Sequence, residues 1–88
     1  MHERTLMADL VRKVLAVAEA EHATSVTRIR VRLGALSHFT PEHFREHWED
    51  ASRSTLAEGA EVVARMDADL TGDAAQGVVL ESVEVRGP

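Results

Sequence analysis

The chain contains no cysteine and no tyrosine, only two phenylalanines and one tryptophan. Without cysteine there is neither a disulfide framework nor a thiolate zinc site. No stretch approaches the ~20 apolar residues that a membrane span needs. The amino terminus lacks a basic segment followed by a long apolar one, so no secretory signal is expected. A net charge of −5 argues against nucleic acid or an anionic membrane surface as the main partner. Catalytic signatures are missing too: there is no Gly-rich phosphate loop and no serine elbow, and the acids are scattered over positions that read as exposed. The expectation is a soluble cytoplasmic protein that is not an enzyme.

What remains is enough for one small domain. With 88 residues and 44% apolar content, a single core is only just sufficient. From Thr5 to about His22, Leu6, Leu10, Val14 and Val17 recur at three- and four-residue steps, with Met7, Val11 and Ala18 alongside. They form the apolar stripe of a helix, for which Thr5 is the expected N-cap, leaving Met1 to Arg4 as a free arm. Val26 to Leu33 alternates, with Thr27, Ile29, Val31 and Leu33 on one face and Arg28, Arg30 and Arg32 on the other. That is a strand buried on one side only, ended by Gly34. Thr40-Pro41-Glu42 starts a second helix running to about Ser52, with Phe44, Trp48 and Ala51 on its apolar face.

A second strand is expected over about Ala60 to Met66, a polar loop over Asp67 to Gly77, and a third strand over Val78 to Val85. The order is helix, strand, helix, strand, strand. The strand–helix–strand portion favours a right-handed crossover between parallel strands, and the short loop before the last strand favours a hairpin there. The fold class is α/β (α+β): two helices packed on one face of a small three-stranded mixed sheet.

The chemistry concentrates at the start. The amine of Met1, the backbone nitrogen of His2 and one ring nitrogen of His2 can close fused rings around one cation. Nitrogen donors in a plane suit Ni(II) or Cu(II) better than Mg or Ca. Glu3 adds a carboxylate or a further backbone nitrogen, or serves only as a favourable charge at a helix start. The bulky His2 preserves Met1 against removal. The plain alternative is an idle chain end.

His43 and His47 stand four apart on the second helix, which puts both imidazoles on one side, as two-histidine metal sites require. His38 lies just upstream, with Glu46 and Asp50 close by. The simpler reading of the pair is a polar flank beside Phe44 and Trp48. His22 reads as a favourable charge at a helix C-terminus. The arginine row reads as a solvated face paired across strands with Glu61, Glu81 and Glu84, the alternative being a contact surface for an acidic partner.

Several stretches, taken in order, resemble the HypA family of hydrogenase and urease nickel metallochaperones. They are Met1-His2-Glu3 with Thr5-Leu6-Met7, the run from Val26 to Ser37, Thr40-Pro41-Glu42-His43-Phe44, Thr55 to Ala60, and Leu80 to Val85. The resemblance implies Ni(II) as the bound metal, with His2 as its ligand and Met1 and Glu3 carried over beside it. It also implies hand-on to a HypB-like GTPase and thence to a hydrogenase large subunit, or to urease maturation proteins. Homo-oligomerisation is left open.

One departure is large. Family members carry a zinc-ribbon domain with two Cys-x-x-Cys pairs between the last two strands, whereas this chain has only the loop at about 67–77. No structural zinc is expected, and residues 1–88 are expected to form a single nickel-binding domain on the α/β core alone. The alternative function is a metal-free adaptor that keeps only the family's partner-binding surface.

Overall fold

A computed structural model describes residues 3–88. The elements run in the expected order: α1 (Glu3–Ala20), β1 (Ser25–Gly34), α2 (Pro41–Ser52), β2 (Glu61–Asp67) and β3 (Val78–Arg86), with a 3-10 turn at Gly72–Gln76. Both helices pack on one face of a three-stranded mixed sheet of order β2-β1-β3. β1 is central, parallel to β2 and antiparallel to β3.

The hairpin expected between the last two strands is therefore wrong, because β3 pairs with β1. The residues between β2 and β3 cross the end of β1, where Gly34 N–H donates to Gly77 O at 3.0 Å and Leu36 N–H to Ala75 O at 2.8 Å. β3 thereby reaches the far edge of β1, where its apolar residues can join the core.

The start of α1 also departs from the sequence reading. The helix begins at Glu3, so Thr5 lies inside its first turns rather than capping it, and no free arm extends to Arg4. Threonine in a helix costs only tenths of a kcal/mol against a serviceable alternative, and Glu3 is favourable at the positive end of the helix dipole. Burial of Met7, Leu10, Val11, Val14 and Ala18 holds the helix to the sheet, whereas Val17, expected in the stripe, is 39% exposed.

The helix stops at Ala20, short of the expected His22. His22 adopts a left-handed φ of 55°, with Ala23 N–H donating to Ala18 O and His22 N–H to Glu19 O. This is a Schellman closure with histidine in the place usually taken by glycine.

β1 buries Val26, Ile29, Val31 and Leu33. Thr27 does not point with them as expected. The ladder to β3 shifts between Val26 and Arg28, so Thr27 is an extra residue that puts Val26 inward in its place. A second shift at Glu81 lets Leu80 and Val83, three apart, both face inward beside Val78 and Val85.

α2 matches its expected bounds. Thr40 Oγ1 accepts from His43 N–H at 3.1 Å, and Pro41 occupies the first turn, where a missing N–H costs nothing. Phe44 and Trp48 are fully buried, each worth about 1.5–3 kcal/mol or more in removal from water. They close the core against Phe39 and Met7.

The Thr55 to Ala60 stretch is a turn that returns the chain to β2. Ala57 is fully buried, the Glu58 carboxylate accepts from Ser54 N–H, and Gly59 takes a φ of +81°. Its part in the motif pattern is architectural.

Candidate metal centre

The amino-terminal end of α1 lies beside the middle of α2, and this juxtaposition builds the site. Glu3 is the first residue of α1, while His43 and His47 follow the Thr40 cap of α2 by one and two turns. Glu3 Oε2 is 3.2 Å from His47 Nε2, and His47 Nε2 is 2.8 Å from His43 Nε2. One ligand atom from each of the three lies within 4.8 Å of the others.

The imidazoles are half-buried and Glu3 is exposed, so the donors are held yet reachable from solvent. The ring of Phe39, itself buried, packs against both histidines, with centroids 5.7 Å from His43 and 6.1 Å from His47. Its other contact is an edge-on one with Phe44, so the imidazole planes are braced by the core. Phe39 sits immediately before the helix cap, which is why a loop residue can serve as the floor of a helix-borne site. A groove between the two helices, lined by Glu3, Thr5, Met7, His47 and Asp50, opens beside the cluster.

The other sequence-derived candidates fall as follows. Met1 and His2 lie outside the described residues. Glu3 is placed at the cluster just described. His38 is exposed, in a left-handed backbone conformation (φ 66°), and is not one of the three. His22 sits exposed at the other end of α1.

The arginine row is paired as expected. Arg28 bridges Glu61 and Glu84, Arg30 reaches Glu84, and Arg32 reaches Glu81, with Asp67 as an additional partner of Arg32. The two carboxylates beside Arg28 raise its pKa above the ordinary guanidinium value. Asp67 is held below the usual carboxylate range, chiefly by the Asp69 N–H and then by Arg32, against the opposing effect of its burial. This face is a charge-balanced solvent surface rather than an unpaired basic patch.

The histidine pair was visible in the sequence as an i, i+4 spacing. Its union with Glu3 was not, because that contact depends on where α1 starts and on how the helices pack.

Comparison with known proteins adds independent findings. A family model described as "Hydrogenase/urease nickel incorporation, metallochaperone, hypA" matches residues 1–71. The hydrogenase maturation factor HypA of Archaeoglobus fulgidus is 40% identical over 62 residues, covering 70% of this chain and 56% of that protein. The HypA of Methylocella silvestris is 39% identical over 70 residues, covering 80% of this chain and 58% of that protein. The chain thus spans about half the length of the curated relatives it matches. In fold it is similar to the solution structure of the Ni metallochaperone HypA from Helicobacter pylori, with a TM-score of 0.80 at 15% identity over 100% of both chains.

Proposed function

The chain belongs to the HypA family of hydrogenase/urease nickel-incorporation metallochaperones, and from that premise we propose that it captures Ni(II) at its amino-terminal segment. Met1 supplies the amine, His2 the imidazole and its backbone nitrogen, and Glu3 a further donor. Nitrogen donors held in fused rings favour nickel over the harder divalent ions. The observation that carries this reading is the family match over residues 1–71, which includes the Met1-His2-Glu3 start. Glu3 itself stands at the head of α1. A site at a chain end can open for ligand exchange without disturbing the core.

The role that follows is accessory rather than catalytic: nickel passes to a partner during maturation of a nickel enzyme. A HypB-like GTPase and a hydrogenase large subunit are the partners proposed, with urease maturation proteins as the other client. The cytoplasm is the compartment proposed for this work; no helix among the described residues is long and apolar enough to cross a membrane. Protons compete for the amine and the imidazole, so uptake should weaken at acid pH.

The test is titration of Ni(II), by calorimetry and visible absorbance, into untagged protein and into His2→Ala. Loss of the higher-affinity, planar-type nickel signal in the variant supports the proposal. Equal uptake by both removes His2 from the site. Absence of uptake in either supports the other reading, a metal-free adaptor that keeps only a partner-binding surface.

A further inference from the structure

We propose that Glu3, His43 and His47 form a second metal site, one that takes a divalent first-row transition ion without using the chain's amine. The site stands on its own geometry; only the choice of Ni(II) as its principal ion rests on the function proposed above.

Proton bookkeeping at His47 is the first argument. Its Nε2 faces two partners at once, the Glu3 carboxylate at 3.2 Å and His43 Nε2 at 2.8 Å. A neutral imidazole nitrogen either carries a proton or offers a lone pair. If His47 Nε2 carries the proton, both neighbours must share one donor. If it offers a lone pair to an N–H of His43, that lone pair also faces a carboxylate oxygen, and the two repel. A cation among the three atoms removes the conflict, because every lone pair then points at the metal.

Two of the three separations fit that arrangement. The third, Glu3 to His43, lies within 4.8 Å but beyond ion-pair contact, so the exposed Glu3 side chain rotates inward when the ion binds. Donors bound about 2.0–2.1 Å from one ion stand roughly 2.9–3.4 Å apart for angles between square and tetrahedral. The 2.8 and 3.2 Å separations are close to such edges. The i, i+4 spacing presents the two rings from consecutive turns, and Phe39 braces both. Less rotamer freedom is therefore left to lose on binding.

The donor set defines the ion. Two imidazoles and one carboxylate suit Ni(II), Co(II) or Zn(II), whereas Mg and Ca require mostly oxygen ligands. Three protein donors on a half-exposed surface leave positions open for water or for an incoming donor. Such a site can accept and release an ion rather than lock it.

The experiment uses the full chain and Ni(II) or Zn(II) as probes. In the His2→Ala background, where the amino-terminal chelate is disabled, one equivalent of metal should still bind. Adding His43→Gln and His47→Gln should weaken that binding at least about tenfold. With Zn(II), the ring-proton NMR signals of His43 and His47 should shift together, while those of His22 and His38 stay in place. Unchanged circular dichroism of the metal-free variants excludes misfolding as the cause.

The proposal is overturned if His2→Ala binds neither ion, or if its binding survives the double glutamine change. Its failure is distinguishable from failure of the amino-terminal site. Uptake lost with His2→Ala alone sinks the second site and sustains the first; uptake lost only with the histidine pair does the reverse.

Discussion

Replacing Gly34 with alanine should destabilise the domain, although glycine to alanine in an element usually helps by restricting the unfolded chain. Gly34 closes β1 under the 3-10 turn, and a Cβ there would overlap the backbone carbonyls of Ala74 and Ala75. Backbone atoms cannot rotate aside, so the turn must lift away. Lifting stretches two hydrogen bonds, Gly34 N–H to Gly77 O (3.0 Å) and Leu36 N–H to Ala75 O (2.8 Å).

Overpacking alone costs about 1–3 kcal/mol, and each net hydrogen bond lost costs about 0.5–1.5 kcal/mol. The two are alternatives in part, since a lifted turn relieves the clash. Its residues are exposed or half-buried, so the freed groups can find water. A net loss of about 2 kcal/mol follows, which in a domain of this size lowers Tm by about 8–16 °C. Thermal melts followed by circular dichroism give the first number. Amide exchange gives the location: Leu36 should lose more protection than Ile29 and Val31, whose amides follow the global loss alone. If Gly34→Ala melts within about 2 °C of the parent, less than 1 kcal/mol by the same scaling, and Leu36 stays protected, the close packing of this turn on β1 is wrong.

Other perturbations probe separate parts of the structure. The buried Trp48 Nε1 finds no acceptor among the described residues. Trp48→Ala should therefore cost about 3–5 kcal/mol in denaturant unfolding, whereas Trp48→Phe should cost less than half of that, because it removes an unpaired donor worth about 1–3 kcal/mol. Thr40→Ala should cost about 1 kcal/mol through loss of the α2 cap, with Thr40→Ser nearly neutral; urea midpoints decide. Because the folded pKa of Asp67 is lowered, its contribution is complete above the ordinary carboxylate value near 4 and is lost as pH falls through the lower folded value. Asp67→Asn should flatten that acid limb in a pH series of unfolding midpoints, and an unchanged limb would show that Asp67 contributes nothing to it.

Local signals were the legible part of the fold. Thr40-Pro41 fixed the start of α2 because a cap hydroxyl and a proline act within one turn. The alternating arginines identified β1 and its exposed face because side-chain direction in a strand follows from spacing alone. Strand neighbours were not legible in the same way: alternation tells which face a residue occupies, not which strand lies beside it. The hairpin expectation failed for that reason. The extra residues at Thr27 and Glu81 were hidden because a bulge changes parity without changing composition. Thr5 misled because a cap-type residue is tolerated inside a helix whose next turns bury Met7 and Leu10. At the site, the His43–His47 spacing could be read directly, while Glu3 joined it only through helix packing across forty residues of chain.

In the proposed amino-terminal site, a free amine and the neighbouring imidazole of His2 together hold nickel. The most direct test is nickel titration of the untagged chain before and after chemical acetylation of the Met1 amine, followed by visible absorption. Acetylation should abolish the planar nickel band and leave only the weaker uptake assigned to the helix pair. An unchanged band and an unchanged affinity would contradict this proposal.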